Sequence, residues 1–409
     1  MSGPARATHA SSRAVVLDLV RAAGTISRVG LVNASGLTGG TISTVVRGLI
    51  DDGLVVETGH AESTGGKRRV LLQLNHFARY AVGVHLDDAR ITYVLTNLGG
   101  SVVARISRAG AGTDSPADVV ARMAREVDAL INSVGVDRDR ILGLGLVSPG
   151  PDYEFDEALR RATGLPVVLD NDATAAAIGE YWSGGVGATS TFAALYMGTG
   201  IGAGLLLNGI TYRGPSGNAG EIGHTCLEVD GPRCWCGGKG CLEVLAGPAA
   251  VVTQARADRS LARTAGLTGG RTRPRTPVAA DFAAISRAAR RGNARASALL
   301  EKSARYMAAA ARTLANVVDL ELLVLTGPSF AIAGSVYLPV LRTELDHAFF
   351  ARNAHPIDIR LSPSAASAPA IGAAAIVLQS ELVPLHQGLR LPDDLTASES
   401  SGRRAATNP

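Results

Sequence analysis

The residues best suited to chemistry lie between Gly220 and Glu243, where the chain reads Gly-Glu-Ile-Gly-His224 and then Cys234-Trp-Cys236-Gly-Gly-Lys-Gly-Cys241-Leu-Glu243. One imidazole and three thiolates make a complete tetrahedral donor set for a closed structural zinc, and the glycines let the loop wrap tightly around an ion. The expected ligands are His224, Cys234, Cys236 and Cys241. Cys226, the fourth cysteine, falls outside the tight loop and is expected to be a small buried residue, with ligation as its alternative. Clustered cysteines in a reduced compartment favour a metal over disulfides or a redox pair.

A second group of chemically capable residues follows a buried strand, Val167 to Leu169, which ends in Asp170-Asn171-Asp172 before an alanine-rich helix. Ligands gather at such strand ends. Asp172 at this junction also suits a helix N-cap, and Glu243 a solvated position. A glycine-rich turn, Met197-Gly-Thr-Gly-Ile-Gly202, could cradle phosphate or simply build a hairpin.

The elements that must position these residues alternate strand patterns (Tyr80 to Leu86, Ile91 to Thr96, Ser101 to Ile106, Ile141 to Val147) with an amphipathic helix from Ser115-Pro116 to about Ser133. That alternation is α/β. Ahead of it, Val16, Leu19, Val20 and Ala23 give the spacing of one helical face, and a short helix from Arg28 to Ser35 stops at Gly36, a left-handed C-cap. Thr38 then offers a hydroxyl cap to a third helix in which Ile42, Val45, Val46 and Leu49 face inward. Two helices on so short a turn form a helix-turn-helix pattern. Arg28, Thr38, Thr41, Ser43, Thr44 and Arg47 are then candidates for bases and phosphates. Strands Leu54 to Glu57 and Val70 to Leu74 frame Gly65-Gly66-Lys67-Arg68-Arg69, a hairpin with a basic tip suited to a minor groove.

At 409 residues, 46% hydrophobic and 19% charged, the chain can build more than one core. Its net charge is +4, and residues 1–75 hold eight Lys/Arg against five Asp/Glu, so most of the excess sits beside the helix-turn-helix. Met1 to Ala10 lacks an apolar signal core, so the expected location is the cytoplasm. The uncharged stretch Tyr181 to Tyr212 is long enough for a bilayer, but its eight glycines suit turns and tight strands; no membrane partner is expected.

With these motifs the chain resembles the ROK family (repressors, open reading frames and kinases) from about Ser11 to Leu378. The zinc loop and Gly-Glu-Ile-Gly-His are the family's signatures. Thr25-Ile-Ser-Arg28, Gly36-Leu-Thr38, Thr41-Ile-Ser43, Gly53-Leu-Val55 and Gly65-Gly66-Lys67 resemble its repressor branch. The resemblance implies an N-terminal winged helix-turn-helix followed by a two-lobed actin-like sugar-kinase domain with a zinc loop. The implied division is a flexible 1–10, a DNA-binding domain 11–75, an effector domain 79–386 and a disordered tail 387–409. It further implies that Asn171, Asp172, Glu221, His224 and Glu243 hold sugar hydroxyls and that Asp172 matches the kinase base.

Two departures bear on activity. Where family kinases carry Asp-x-Gly-x-Thr, this chain reads His85-Leu-Asp87-Asp88-Ala89, which sets carboxylates against a triphosphate. Fifteen residues separate Pro151 from Val167, where the family has a longer excursion that contributes to the sugar pocket. The expectation is a homodimer or higher homo-oligomer on two-fold operator DNA, answering to a sugar or sugar derivative, with kinase activity lost. The alternatives are a zinc-containing sugar kinase and a ligand-independent DNA-binding protein. Residues 258–276 are expected to be an irregular surface insertion.

Overall fold

The computed structural model describes residues 12–60, 69–112, 114–149, 153–183, 186, 191–207, 209–267 and 278–379. The sequence expectations for 1–10, Gly65 to Arg68, Gly150-Pro151 and the tail fall outside these residues. The chain divides into two compact units, one holding the residues up to Tyr80 with 97–101, the other 81–96 and 102–377.

The first unit is built from α1 (Ser12–Ala23), β1 (Thr25–Ser27), α2 (Arg28–Ser35), α3 (Gly39–Asp51), β2 (Val55–His60) and β3 (Val70–Leu74). Ser27 caps α2 by accepting the Gly30 N–H, and Gly36 ends it at φ 69°, the left-handed conformation that glycine adopts at least cost. Thr38 caps α3 by accepting the Thr41 N–H, and across this break the helix direction bends by 119°. Leu17, Leu31, Ile42, Val46 and Leu49 are fully buried, each contributing roughly 1.5–3 kcal/mol by leaving water. Val45, expected in that core, is half-buried. Strand order is β1-β3-β2, all antiparallel. β1 was not expected: its three residues pair with β3 far along the chain, Thr25 opposite Gln73.

The second unit holds β4 (Tyr80–Leu86), β5 (Arg90–Asn97), β6 (Val102–Ala109), α4 (Pro116–Val134), β7 (Ile141–Ser148), α5 (Tyr153–Thr163), β8 (Val167–Asn171) and α6 (Asp172–Trp182). There follow β9 (Phe192–Met197), β10 (Ile201–Leu207), β11 (Ile210–Tyr212), α7 (Leu242–Ala246), α8 (Pro248–Ala257), α9 (Arg259–Thr264), α10 (Val278–Arg290), α11 (Ala294–Val318), β12 (Leu322–Thr326), α12 (Pro328–Ala348), β13 (Asp358–Leu361) and α13 (Ala368–Leu378). Two five-stranded sheets result, β6-β5-β4-β7-β8 and β11-β10-β9-β12-β13. Replacing each first-sheet strand by the one five places later reproduces the second, so the unit is two copies of one mixed topology. The uncharged stretch 181–212 supplies the end of α6 and β9 to β11. No single helix among the described residues is long and apolar enough to cross a membrane.

Helices α6 and α13 approach backbone to backbone, because a Cβ at Gly372 would lie 1.7 Å from the Ala175 carbonyl oxygen and one at Gly179 2.2 Å from that of Ala368. This contact leaves no room for a side chain between α6 and α13 at Gly179 or Gly372. Part of the expected irregular insertion is ordered: Asp258 caps α9 by accepting the Ser260 and Leu261 N–H groups, because an aspartate before Arg-Ser-Leu satisfies the first orphan donors of a helix.

Candidate functional site: two cavities and a cysteine loop

The cysteine loop is a closed structure. Leu227 donates its N–H to the Gly240 carbonyl (2.8 Å), Cys234 to that of Gly238 (2.9 Å) and Gly240 to that of Pro232 (2.8 Å). Gly240 has φ 58°, and a Cβ there would lie 1.7 Å from the Glu228 carbonyl oxygen, so a side chain would open the loop. The donor atoms of His224, Cys234, Cys236 and Cys241 lie within 4.8 Å of one another. Cys236 and Cys241 sulfurs are 3.7 Å apart, and Cys234 Sγ is 3.5 Å from His224 Nδ1. Ligands of a tetrahedral zinc with Zn–S near 2.3 Å are separated by roughly 3.8 Å, so the residues fit a metal ion. Electrostatics agree. Burial and the neighbouring Cys236 and Cys234 push the Cys241 thiol up to about 12, whereas the Gly238 N–H lowers that of Cys236. Thiols so crowded lose their protons together only to a cation. Cys226 corrects the expectation of burial: its backbone bridges Cys241 in the loop's short antiparallel ladder, which leaves its side chain exposed and outside the cluster.

Beside this loop lies a cavity of about 630 Å³ whose lining brings together Asn171, Asp172, Glu221, His224 and Glu243, the five positions expected to hold a sugar. Local structure assigns each a task. Asn171, not Asp172, is the N-cap of α6: its side chain accepts the Ala173 and Thr174 N–H groups, which releases the Asp172 carboxylate for the cavity. Asp170 is held by Arg213 at 2.6 Å. Glu243 is not merely solvated, because it accepts the Ile201 N–H (3.0 Å) and the Trp235 indole N–H (3.1 Å), tying the cysteine loop to the glycine-rich turn. Trp235, 79% exposed, packs against His224 with the two rings perpendicular and their centroids 4.8 Å apart. Sequence reasoning missed Trp235, although an aromatic between two ligand cysteines was a visible signal. Glu221 stands at a 3-10 turn, Ile222–His224, and its pKa is raised by desolvation first and then by the Asp172 and Glu243 carboxylates, with His224 opposing.

The departed phosphate loop lines a second cavity, of about 620 Å³, with His85, Asp87, Arg90, Arg105, Thr199 and Arg287 among its residues. The His85 side chain is buried and its Nε2 lies 3.8 Å from Asp172 Oδ2 and 3.3 Å from the Tyr196 hydroxyl. Asp87 is also buried; it accepts the Ala89 N–H at 2.8 Å, and desolvation, set against that bond, raises its pKa. The expectation that both acids face this side is corrected for Asp88, which is exposed and absent from the lining. The short stretch before Val167 is α5, whose Leu159 is fully buried.

In the first unit, Thr38, Ser43, Thr44 and Arg47 are exposed and Thr41 half-buried along α3. Thr38 and Thr41 bond each other (2.9 Å), and Ser43 donates back to the Gly39 carbonyl (2.8 Å). Arg28 pairs with Glu57 at 2.9 Å on the surface. Arg69 is exposed where β3 begins. Lys67 and Arg68 lie outside the described residues.

Comparison with known proteins places these features. A putative xylose repressor of Caldicellulosiruptor sp. (strain Rt8B.4) is 33% identical over 246 residues, 56% of this chain; the alignment spans 62% of that repressor's own length, under two thirds. The xylose repressor of Caldicellulosiruptor bescii is 28% identical over 385 residues, 87% of this chain and 92% of its own. The crystal structure of a ROK family transcriptional regulator, a homologue of the E. coli MLC protein, superposes with TM-score 0.69 at 24% identity, covering 91% of this chain and 97% of that one, and so establishes the shared fold. Residues 117–380 match the ROK family itself, and with the two-copy sheet topology and the cysteine loop in place, the chain belongs to that family.

Proposed function

We propose that the chain is a sugar-responsive, DNA-binding transcriptional repressor without kinase activity. The observation that carries this reading is that all five expected sugar positions line one cavity while the phosphate side has His85 set against Asp172. Sugar recognition is kept and the holding of a triphosphate is not. A carboxylate can serve as a base only with a phosphoryl group held in line, and here its neighbour on that side is an imidazole. The repressor relatives support the same reading.

The first unit is the DNA reader in this account, a winged helix-turn-helix within 11–75. The 119° bend between α2 and α3 belongs to the range of such motifs, and Thr44 and Arg47 present donors and acceptors on the open face of α3. The effector domain is 79–386. Zinc held by His224, Cys234, Cys236 and Cys241 would fix the His224 ring so that its other nitrogen meets a sugar hydroxyl. The working form is a cytoplasmic homodimer on a two-fold operator. Selection of duplex DNA from a random pool by the full chain tests this: the expected product is a site with two-fold symmetry, and failure to enrich any sequence contradicts it.

A second reading, a zinc-containing sugar kinase that also binds DNA, is favoured by one observation: Asp172 lines the same cavity as the glycine-rich turn at Thr199 to Gly202.

A further inference from the structure

The cavity at Asp87 has lost the loop that would carry a metal-bound triphosphate, yet three arginines line it. Strands β5 and β6 turn one face to it. Their register sets Thr92 opposite Ser107 and Val94 opposite Arg105, and residues two apart on a strand share a face. Arg90, Thr92, Arg105 and Ser107 therefore stand on one surface, and all four belong to the lining. From α10, Ala280, Ala283 and Arg287 follow at helical spacing, so two small side chains share the face of one long cation. The volume, about 620 Å³, falls within the range of small-molecule sites, roughly 300–1,000 Å³.

These cations are not used by the protein itself. Among the described residues the guanidinium groups of Arg90 and Arg287 have no carboxylate or hydrogen-bond partner, and Arg105 donates only to the Ser367 hydroxyl at 3.1 Å. Asp87 is the one carboxylate of the lining, and it is engaged with the Ala89 N–H. Three guanidinium charges against one carboxylate leave an excess of two. A phosphate monoester carries a charge of about −1.5 to −2 at neutral pH, and its oxygens match the guanidinium fork. Fixed arginines supply the neutralising charge that a metal ion would otherwise bring with a triphosphate.

The β5–β6 hairpin also runs from one unit into the other by chain continuity: its arms belong to the second unit and its turn, 97–101, to the first. Within the first unit this turn is anchored. The Leu98 N–H is donated to the His76 carbonyl at 3.0 Å, and the Leu98 side chain is fully buried. A Cβ at Gly99 would lie 2.1 Å from His76 Nδ1, so only glycine fits against that ring. A ligand that grips Arg90 and Arg105 thus holds two strands whose turn is part of the DNA reader.

We propose that this cavity is a second effector site, which takes a small phosphate monoester without a metal, and that the β5–β6 hairpin carries its occupancy to the first unit. The proposal goes beyond the sugar-responsive reading, since it concerns the other cavity and a different ligand class.

Isothermal titration calorimetry of the full chain tests the site with inorganic phosphate, glycerol 3-phosphate, glucose 6-phosphate, AMP, and ATP with Mg²⁺. The expected result is that at least one monoester binds more tightly than ATP with Mg²⁺; glycerol 3-phosphate, glucose 6-phosphate and AMP distinguish an acyclic, a sugar and a nucleoside source of the same group. Binding should weaken about 10-fold in Arg105→Met and again in Arg287→Met, the size of one charge-assisted hydrogen bond. Arg287→Lys, which keeps the charge, should retain more affinity than Arg287→Met. Fluorescence anisotropy with selected operator DNA should then show a change of at least about 5-fold when the monoester is bound, absent in the Arg105→Met, Arg287→Met double variant. The site is refuted if no monoester binds, if ATP with Mg²⁺ binds most tightly, or if the double variant binds undiminished. Unchanged operator affinity with the monoester bound refutes the effector role. A sugar-driven change of operator affinity in phosphate-free buffer leaves the sugar-responsive reading standing in each of these cases.

Discussion

The cavity at Asp172 and the cavity at Asp87 have nearly equal volumes, about 630 and 620 Å³, yet they differ in what they retain. The first brings together the five expected sugar positions, three of them set by separate local devices: an Asn171 cap on α6 that frees Asp172, a cysteine loop beside His224, and two hydrogen bonds that hold Glu243. The second has His85-Leu-Asp87-Asp88-Ala89 where family kinases carry Asp-x-Gly-x-Thr, keeps Arg90, Arg105, Arg287 and Thr199 in its lining, and sets the His85 imidazole 3.8 Å from the Asp172 carboxylate. In the proposed reading recognition and turnover are separable, because the two cavities lie on opposite sides of one buried contact. Binding a sugar calls on one side alone, whereas phosphoryl transfer needs both.

The comparison is broken most severely at the cysteine loop. Cys236→Ser should lower bound zinc from about one per chain to near zero, since one missing thiolate opens a four-coordinate site, and metal analysis showing undiminished zinc would refute the ligand set. Sugar binding should fall with it, because His224 loses its anchor. Next in size, Asp172→Asn should weaken sugar affinity about 10–100-fold, the range for removing charge-assisted hydrogen bonds; calorimetry with unchanged affinity would place the sugar elsewhere. On the DNA side, replacing Lys67, Arg68 and Arg69 by alanine should reduce the slope of log affinity against log salt by about 2.7, near 0.9 for each phosphate no longer neutralised. An unaltered slope would remove the basic tip from the interface. The smallest expected effect is none at all: coupled-enzyme assays of hexoses, pentoses and N-acetylhexosamines with ATP should give ADP release at the no-enzyme level. Sugar-dependent release that vanishes in Asp172→Asn would promote the kinase reading.

What was legible in the sequence was mostly local. The Gly36 stop and the Thr38 cap are decided within a few residues, and the strands and helices that position the site follow from periodicity. The cysteine spacing also announces its own cluster. Three features were not legible for reasons of distance or competition. β1 is too short to carry a pattern, and its partner lies beyond two helices. Asn171 and Asp172 compete for one cap, and both side chains can fill it, so only the packed backbone of α6 decides. His85 meets Tyr196 across 111 positions of chain, a pairing that neither residue's neighbours foretell. Cys226 was misjudged because a place outside the tight cysteine loop was read as burial, whereas its backbone bridges Cys241 and its side chain is exposed.

The central claim is that a sugar in the Asp172 cavity changes the grip of the chain on DNA. The direct measurement is the affinity of the full chain for its selected operator by fluorescence anisotropy, at fixed salt, with and without saturating sugar. Coupling between sites of this kind amounts to about 5–150-fold, so a change of at least about 5-fold is predicted, abolished in Asp172→Asn. An operator affinity that is identical with and without a sugar shown by calorimetry to be bound would contradict the account.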